Sequence, residues 1–178
     1  MRWIWVDRIV EIEKGEKCVA TKSVSSAEDV LHDHFEPTER YARTPVMPHS
    51  LVIEAMAQTA GVLVGYTGDF KEKVVLAKIG KAVFHCSIRP GFTMKLTATL
   101  ERFDVNGAAT RGKVEWIDPV TGATQPMADI TLMFAHVDHN RSNIQFPEHN
   151  FVFSGNLLEM MQCSGMAHVP MPDSVKSR

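Results

Sequence analysis

The stretch Pro48-His49-Ser50-Leu51-Val52-Ile53-Glu54-Ala55-Met56-Ala57-Gln58-Thr59-Ala60-Gly61-Val62-Leu63-Val64-Gly65-Tyr66 decides how the rest of the chain can fold. Pro48 suits the first turn of a helix, where its missing N–H would have had no intrahelical partner. Leu51, Val52, Ile53, Ala55, Met56, Ala57, Ala60, Val62, Leu63 and Val64 then fall on every side. A helix apolar all round is a buried helix. Its strong polar groups are Glu54 and Gln58, one turn apart on one face. Gly61 and Gly65 lie near the same side and leave room for a close approach.

Around this helix the pattern is that of strands. Trp3 to Glu13 is rich in Trp, Ile and Val, Lys14-Gly15-Glu16 reads as a turn, and Cys18 to Val24 reads as the returning strand. Ser25 or Ser26 offers a cap for a loop or short helix. Leu31 to Pro48 has no period and reads as a long loop, of the kind that in compact domains is usually functional or mobile. Val74 to Lys81 and Ala82 to Ile88 are β-rich, with a break or kink near Gly80, and Arg89-Pro90-Gly91 turns. Thr93 to Phe103 alternates, with Met94, Leu96, Ala98 and Leu100 on one face. Asp104-Val105-Asn106-Gly107 is a hairpin signal before the return over Ala108 to Ile117. Ala128 to Val137 alternates again, with Ala128, Ile130, Leu132 and Phe134 on one face. The order is two strands, a loop, one buried helix, then three or four strands in a meander. One helix cannot cover a large sheet from both sides, so the expected class is α+β, a curved antiparallel sheet wrapped around that helix.

Composition narrows the function. The 178 residues are 44% hydrophobic and 22% charged, enough for one globular domain with a surplus. The net charge of −2 argues against a nucleic-acid-binding surface over the whole protein. Cys18, Cys86 and Cys163 are odd in number, far apart and form no CxxC, so neither a disulfide framework nor a structural zinc site is expected. The apolar start is too short for a signal peptide, and Leu51 to Tyr66, interrupted by Glu54, Gln58 and Thr59, falls short of the ~20 residues of a membrane span. The expectation is a soluble, cytoplasmic protein with reduced thiols. His139 to Arg178 differs in character: it holds Met160, Met161, Met166 and Met171, a short helix predicted over Asn156 to Gln162, and an end that reads as a loose tail.

Few residues stand out chemically. A carboxylate at Glu54 in a buried helix must be paired, neutralised or open to a cleft, and it reads equally well as a general acid or as a structural group bonded to Gln58. His34, in Leu31-His32-Asp33-His34-Phe35, is a candidate base, although a lone histidine is more often a surface or satisfied core residue. His32 and His34 form an HxH pair that could join His49 on a metal, but no further ligand spacing supports one. The N–H groups at the start of the helix near His49 have no internal partner and suit a developing oxyanion. An imidazole, a carboxyl and an oxyanion site together suit proton abstraction next to a carbonyl.

His34-Phe35, then Pro45-Val46-Met47-Pro48, then Leu51-Val52-Ile53-Glu54-Ala55-Met56-Ala57-Gln58 resembles the 3-hydroxyacyl-acyl-carrier-protein dehydratase family of the hot-dog fold. Trp5-Val6-Asp7-Arg8-Ile9 with Gly15, and Phe84 through Arg89-Pro90-Gly91, are similar to its first and later strands. The resemblance runs from about Trp5 to Val137. It implies that His34 removes the α-proton of a 3-hydroxyacyl thioester, that Glu54 of the other subunit handles the leaving β-hydroxyl, and that the backbone N–H of His49 polarises the thioester carbonyl. Gln58, Phe35 and Tyr41 are the expected substrate contacts, with Tyr41 or Arg40 of the longer loop either lining the entrance or simply solvated. It further implies no metal or redox cofactor, a substrate carried on the phosphopantetheine arm of acyl carrier protein, and a homodimer or a trimer of such dimers (a hexamer).

The sequence departs from the family pattern at two places. The loop between Phe35 and Pro45 is longer, an insertion at 36–44, and His49 stands where the family has glycine. The expected organisation is a dehydratase domain over 1–138 and a C-terminal extension over 139–178, packed on the same subunit or its dimer partner through Phe151, Phe153, Leu157 and Leu158. Two other readings remain on the sequence: a hot-dog thioesterase whose helix carboxylate activates water, and a non-catalytic acyl-carrier-binding protein. A carboxylate of Glu54 type, where a related subgroup has aspartate, points to simple dehydration without isomerisation.

Overall fold

The computed structural model describes residues 3–32, 37–40, 45–137, 152–153 and 155–166. The deciding helix, α2 (His49–Thr67), follows a short helix α1 (Asp29–His32). Pro48 sits one step earlier than expected, as the N-cap at φ −56° and ψ 134°. Proline holds φ near the helical value there without sacrificing a donor. The strands are β1 (Arg8–Glu13), β2 (Lys17–Ser23), β3 (Val74–Phe84), β4 (Thr93–Asp104), β5 (Gly107–Ile117) and β6 (Thr124–His136), and a third helix, α3, spans Asn156–Cys163. The strands form one antiparallel sheet in the order β1-β2-β4-β5-β6-β3.

The alternating faces explain why the sheet closes on α2. Met94, Leu96 and Ala98 of β4 and Ala128, Ile130 and Leu132 of β6 are all buried. They meet Val52, Ala55, Met56, Ala60 and Leu63 of α2 in one core. Burying such a side chain fully is worth ~1.5–3 kcal/mol, so a one-residue slip of either strand would expose its whole apolar set. The β4–β5 hairpin turns where Asp104 Oδ1 accepts the backbone N–H of Asn106 at 2.9 Å. That bond holds the Asp104 carboxyl below its ordinary range.

Two expectations about strands need correction. The first strand begins at Arg8, not Trp3. The backbone N–H of Trp5 donates instead to Gln58 Oε1 at 2.8 Å, so this stretch leaves the sheet and lies over α2. The two β-rich stretches around Gly80 are one strand, β3, with register shifts at Leu76/Lys78 and Ile79/Lys81. The bulges bend the strand without ending it. β3 ends at Phe84, and 85–89 carries on outside the sheet.

The extension meets the same core. Phe153, Met160, Met161 and Met166 are buried in it. Ile9 N–H donates to Ser164 Oγ at 2.9 Å, which ties the end of α3 to β1. Leu157 is half-buried, while Phe151 and the Leu158 side chain lie outside the described residues, as does the boundary near 138.

Burial makes a testable difference among the cysteines. Cys18 is fully buried and its thiol is pushed up to about 12 by desolvation, whereas Cys163 is exposed. The thiolate is the reactive form, so brief alkylation of the native protein at neutral pH will label Cys163 and spare Cys18. Equal labelling of the two, read by peptide mass spectrometry, would contradict this burial. On folding, the Cys18 thiol rises from its ordinary 9.0 to about 12. The unfolded chain therefore loses that proton first, and this contribution to stability falls as the pH rises above 9.

Candidate active site

The sheet leaves one stripe of α2 partly uncovered. Ile53, Glu54, Gln58 and Gly61 are half-buried, while the faces on either side are closed. Glu54 is thus less enclosed than an all-apolar helix suggests. Residues four and seven places apart share a helix face, so Glu54, Gln58 and Gly61 line up along it.

A cavity of about 400 Å³ opens over this stripe. Glu54, Ala57, Gln58, Gly61 and Val62 form its floor. Trp3 and Ile4 stand on one side, and Leu76 of β3 and Phe134 of β6 on another. Val152, Phe153 and Leu157 contribute a third wall. A mostly apolar cleft with few polar groups is the usual form of a small-molecule site.

The carboxylate is oriented from one side. Trp3 Nε1–H donates to Glu54 Oε1 at 3.2 Å, and Gln58 Nε2–H donates to the same oxygen at 3.0 Å. Among the described residues no donor reaches Oε2. Gln58 is itself fixed, since its Oε1 accepts from Trp5 N–H and its Nε2 donates to Trp3 O at 3.1 Å. Its amide therefore holds the carboxylate and the N-terminal segment together. Sequence reading missed Trp3, because nothing local in a Trp-rich strand says that its first residue will cross a helix placed fifty residues later.

His49 opens α2, five residues before Glu54, or ~7.5 Å along the axis. Among the described residues, no acceptor takes its backbone N–H. Its ring stacks on Phe84 with centroids 3.9 Å apart and planes 1° apart. Nε2 lies 3.2 Å from Ser87 Oγ. The His49 side chain is thus engaged by the end of β3 and the segment after it. His34, Phe35 and Tyr41 lie outside the described residues, as do most of the 36–44 insertion and the His32 and His34 rings of the HxH pair.

The FabA-like domain family matches residues 3–117. The chain is 36% identical over 137 residues to a 3-hydroxyacyl-[acyl-carrier-protein] dehydratase FabZ of Chloroflexus aggregans, covering 76% of this chain and 87% of that protein. It is 38% identical over 112 residues to the FabZ of Clostridium kluyveri, covering 62% and 72%. Among solved structures, a thioesterase family protein from Silicibacter pomeroyi superposes with a TM-score of 0.57 at 12% identity, over 72% of this chain and 82% of that one. An acyl-CoA hydrolase from Agrobacterium tumefaciens gives 0.55 at 19% identity, over 69% and 44%. At such identities the structures speak for the hot-dog fold alone and carry no weight for hydrolysis.

Proposed function

This chain belongs to the FabA-like family of 3-hydroxyacyl-[acyl-carrier-protein] dehydratases, and from that premise we propose how its residues divide the work. The protein is a hydro-lyase that converts a 3-hydroxyacyl thioester on acyl carrier protein into the trans-2-enoyl thioester, in fatty acid biosynthesis. One observation carries the assignment of Glu54: its carboxylate is held by two donors on one oxygen and faces a largely apolar cavity.

The reaction breaks the Cα–H and Cβ–O bonds and forms the Cα=Cβ bond. His34 takes the α-proton. Glu54 delivers a proton to the β-hydroxyl, which leaves as water, and the imidazolium then returns its proton to the carboxylate through solvent. The N–H of His49, at the positive end of the α2 dipole, stabilises negative charge growing on the thioester oxygen. Both proton steps are general acid–base catalysis, each worth about 10²–10⁴-fold in rate. Trp3 and Gln58 act as positioning residues for Glu54. Phe35 and Tyr41 are further substrate contacts in this reading.

The site is completed by a second subunit, so that His34 of one protomer works with Glu54 of its partner. What supports a homodimer is the edge of the sheet. β3 is an eleven-residue edge strand, and Leu76, Ile79 and the neighbouring Met133 are 39%, 46% and 46% exposed. A long apolar edge left open invites aggregation, so such edges are normally covered. Assembly of three such dimers into a hexamer is the larger form we propose.

The direct assay is incubation with 3-hydroxyacyl-carrier-protein followed by intact mass measurement. Loss of water with the thioester retained is expected. Release of free acid would instead favour a thioesterase, and binding without product would favour a non-catalytic carrier-binding role.

A further inference from the structure

The family match ends at residue 117, and the segment beyond β6 nevertheless reaches the cavity. Phe153 is 1% exposed and sits directly on α2 at Gly65. A β-carbon at Gly65 would come within 2.4 Å of Phe153 Cζ and 2.8 Å of Phe70 Cδ1, so only glycine admits both rings. Phe153 meets Phe70 edge to face at 4.9 Å. Behind it, α3 is pinned to β1 through Ser164, whose Oγ accepts from Ile9 N–H and donates to Met160 O. The wall is therefore anchored to the body of the fold.

The cavity has a direction. Its polar groups, Glu54 and Gln58, are at one end of the stripe. Gly61 follows ~10 Å further along the helix, and Phe153 stands over Gly65 about one turn beyond. A ligand with a reactive polar head and an apolar tail fits only with its head at Glu54 and its tail towards Phe153. Val152 and Leu157 flank that tail end.

We propose that this C-terminal segment sets the acyl chain length, with Phe153 as the end wall of the tail groove and Val152 as its side. The proposal rests on the dehydratase reading and adds to it a specificity element that the matched family domain does not contain. The groove is closed by a side chain and not by backbone, so its depth changes with that side chain. Chains that fit short of Phe153 are turned over, and longer ones must displace a ring wedged between Gly65 and Phe70.

The test is kcat/KM of the full-length protein over a ladder of 3-hydroxyacyl-carrier-protein chain lengths. Phe153→Leu keeps the site apolar and shortens the wall. Its preference for the first chain lengths beyond the wild-type optimum should rise about tenfold per methylene admitted. Val152→Phe, at a half-buried position, adds bulk and should shift the preference towards shorter chains. Opposite shifts support the proposal; unchanged long-to-short ratios in both variants overturn it. If Phe153→Leu does not fold, Val152→Phe decides alone. A wild-type protein that dehydrates no chain length at all removes the dehydratase reading itself, which is a different result from an active protein with an unaltered profile.

Discussion

Glu54→Gln is expected to lower kcat by about 10²–10⁴-fold with little change in fold or melting temperature. The amide oxygen of a glutamine still accepts from Trp3 Nε1 and Gln58 Nε2, so the contacts that Glu54 Oε1 makes survive. What is lost is the transferable proton. A loss confined to kcat means that the group acts in the transition state, whereas a rise in KM alone would mean that it only binds. Mixing sharpens the result. If His34 and Glu54 come from different protomers, co-refolded His34→Ala and Glu54→Gln chains form mixed dimers with one intact site each. About a quarter of wild-type activity should then return, as random pairing in a two-fold assembly gives. No recovery, with mixed dimers shown to form, would put both groups in one protomer. Wild-type turnover by the Glu54→Gln protein alone would remove the carboxylate from the mechanism.

Gly107→Ala is expected to be the most damaging small substitution in the sheet. Gly107 begins β5 at φ 155°, paired with Asp104 on one side and Ala135 on the other. A β-carbon there would lie 2.0 Å from the carbonyl oxygen of Phe134 and 3.1 Å from Ala135 Cα. Both are backbone atoms of a paired strand and cannot swing aside as a side-chain end could. Phe134 also forms a cavity wall, so any yielding of β6 reaches the site. The cost is about 3 kcal/mol, the upper end for overpacking. For a chain of this length that is about 6–12 °C in Tm. Thermal unfolding followed by circular dichroism checks it, and an unchanged Tm would show that this corner is not packed as described.

The contrast between these two residues also separates what was legible from what was not. Asp104-Val105-Asn106-Gly107 was readable as a hairpin signal, because tight turns between strands demand such residues locally. Glu54 was readable as an oddity, because a carboxylate among ten apolar helix residues breaks the pattern. The cleft and the Gln58 bond were among the readings offered for Glu54, but that Trp3 holds the same oxygen, and that the C-terminal segment walls the cavity, was not readable. The Trp3 bond joins residues 51 apart, and no short-range rule reports on such a pair.

The amino-acid order by itself determined the central helix, the antiparallel strands with their buried faces, and the family motif around Glu54. The helix and the strands follow from periodicity and turn chemistry within about ten residues, and the motif from its resemblance to the family. Tertiary structure alone decided that the N-terminal segment leaves the sheet for Gln58 and that β3 runs unbroken through its bulges. It alone brought Ser164 to Ile9, 155 residues away, and seated Phe153 on Gly65. The physical reason is that buried donors and apolar surfaces must be satisfied by whatever the folded chain brings near. Which partner arrives is fixed by the closure of the whole sheet around α2, not by any local stretch.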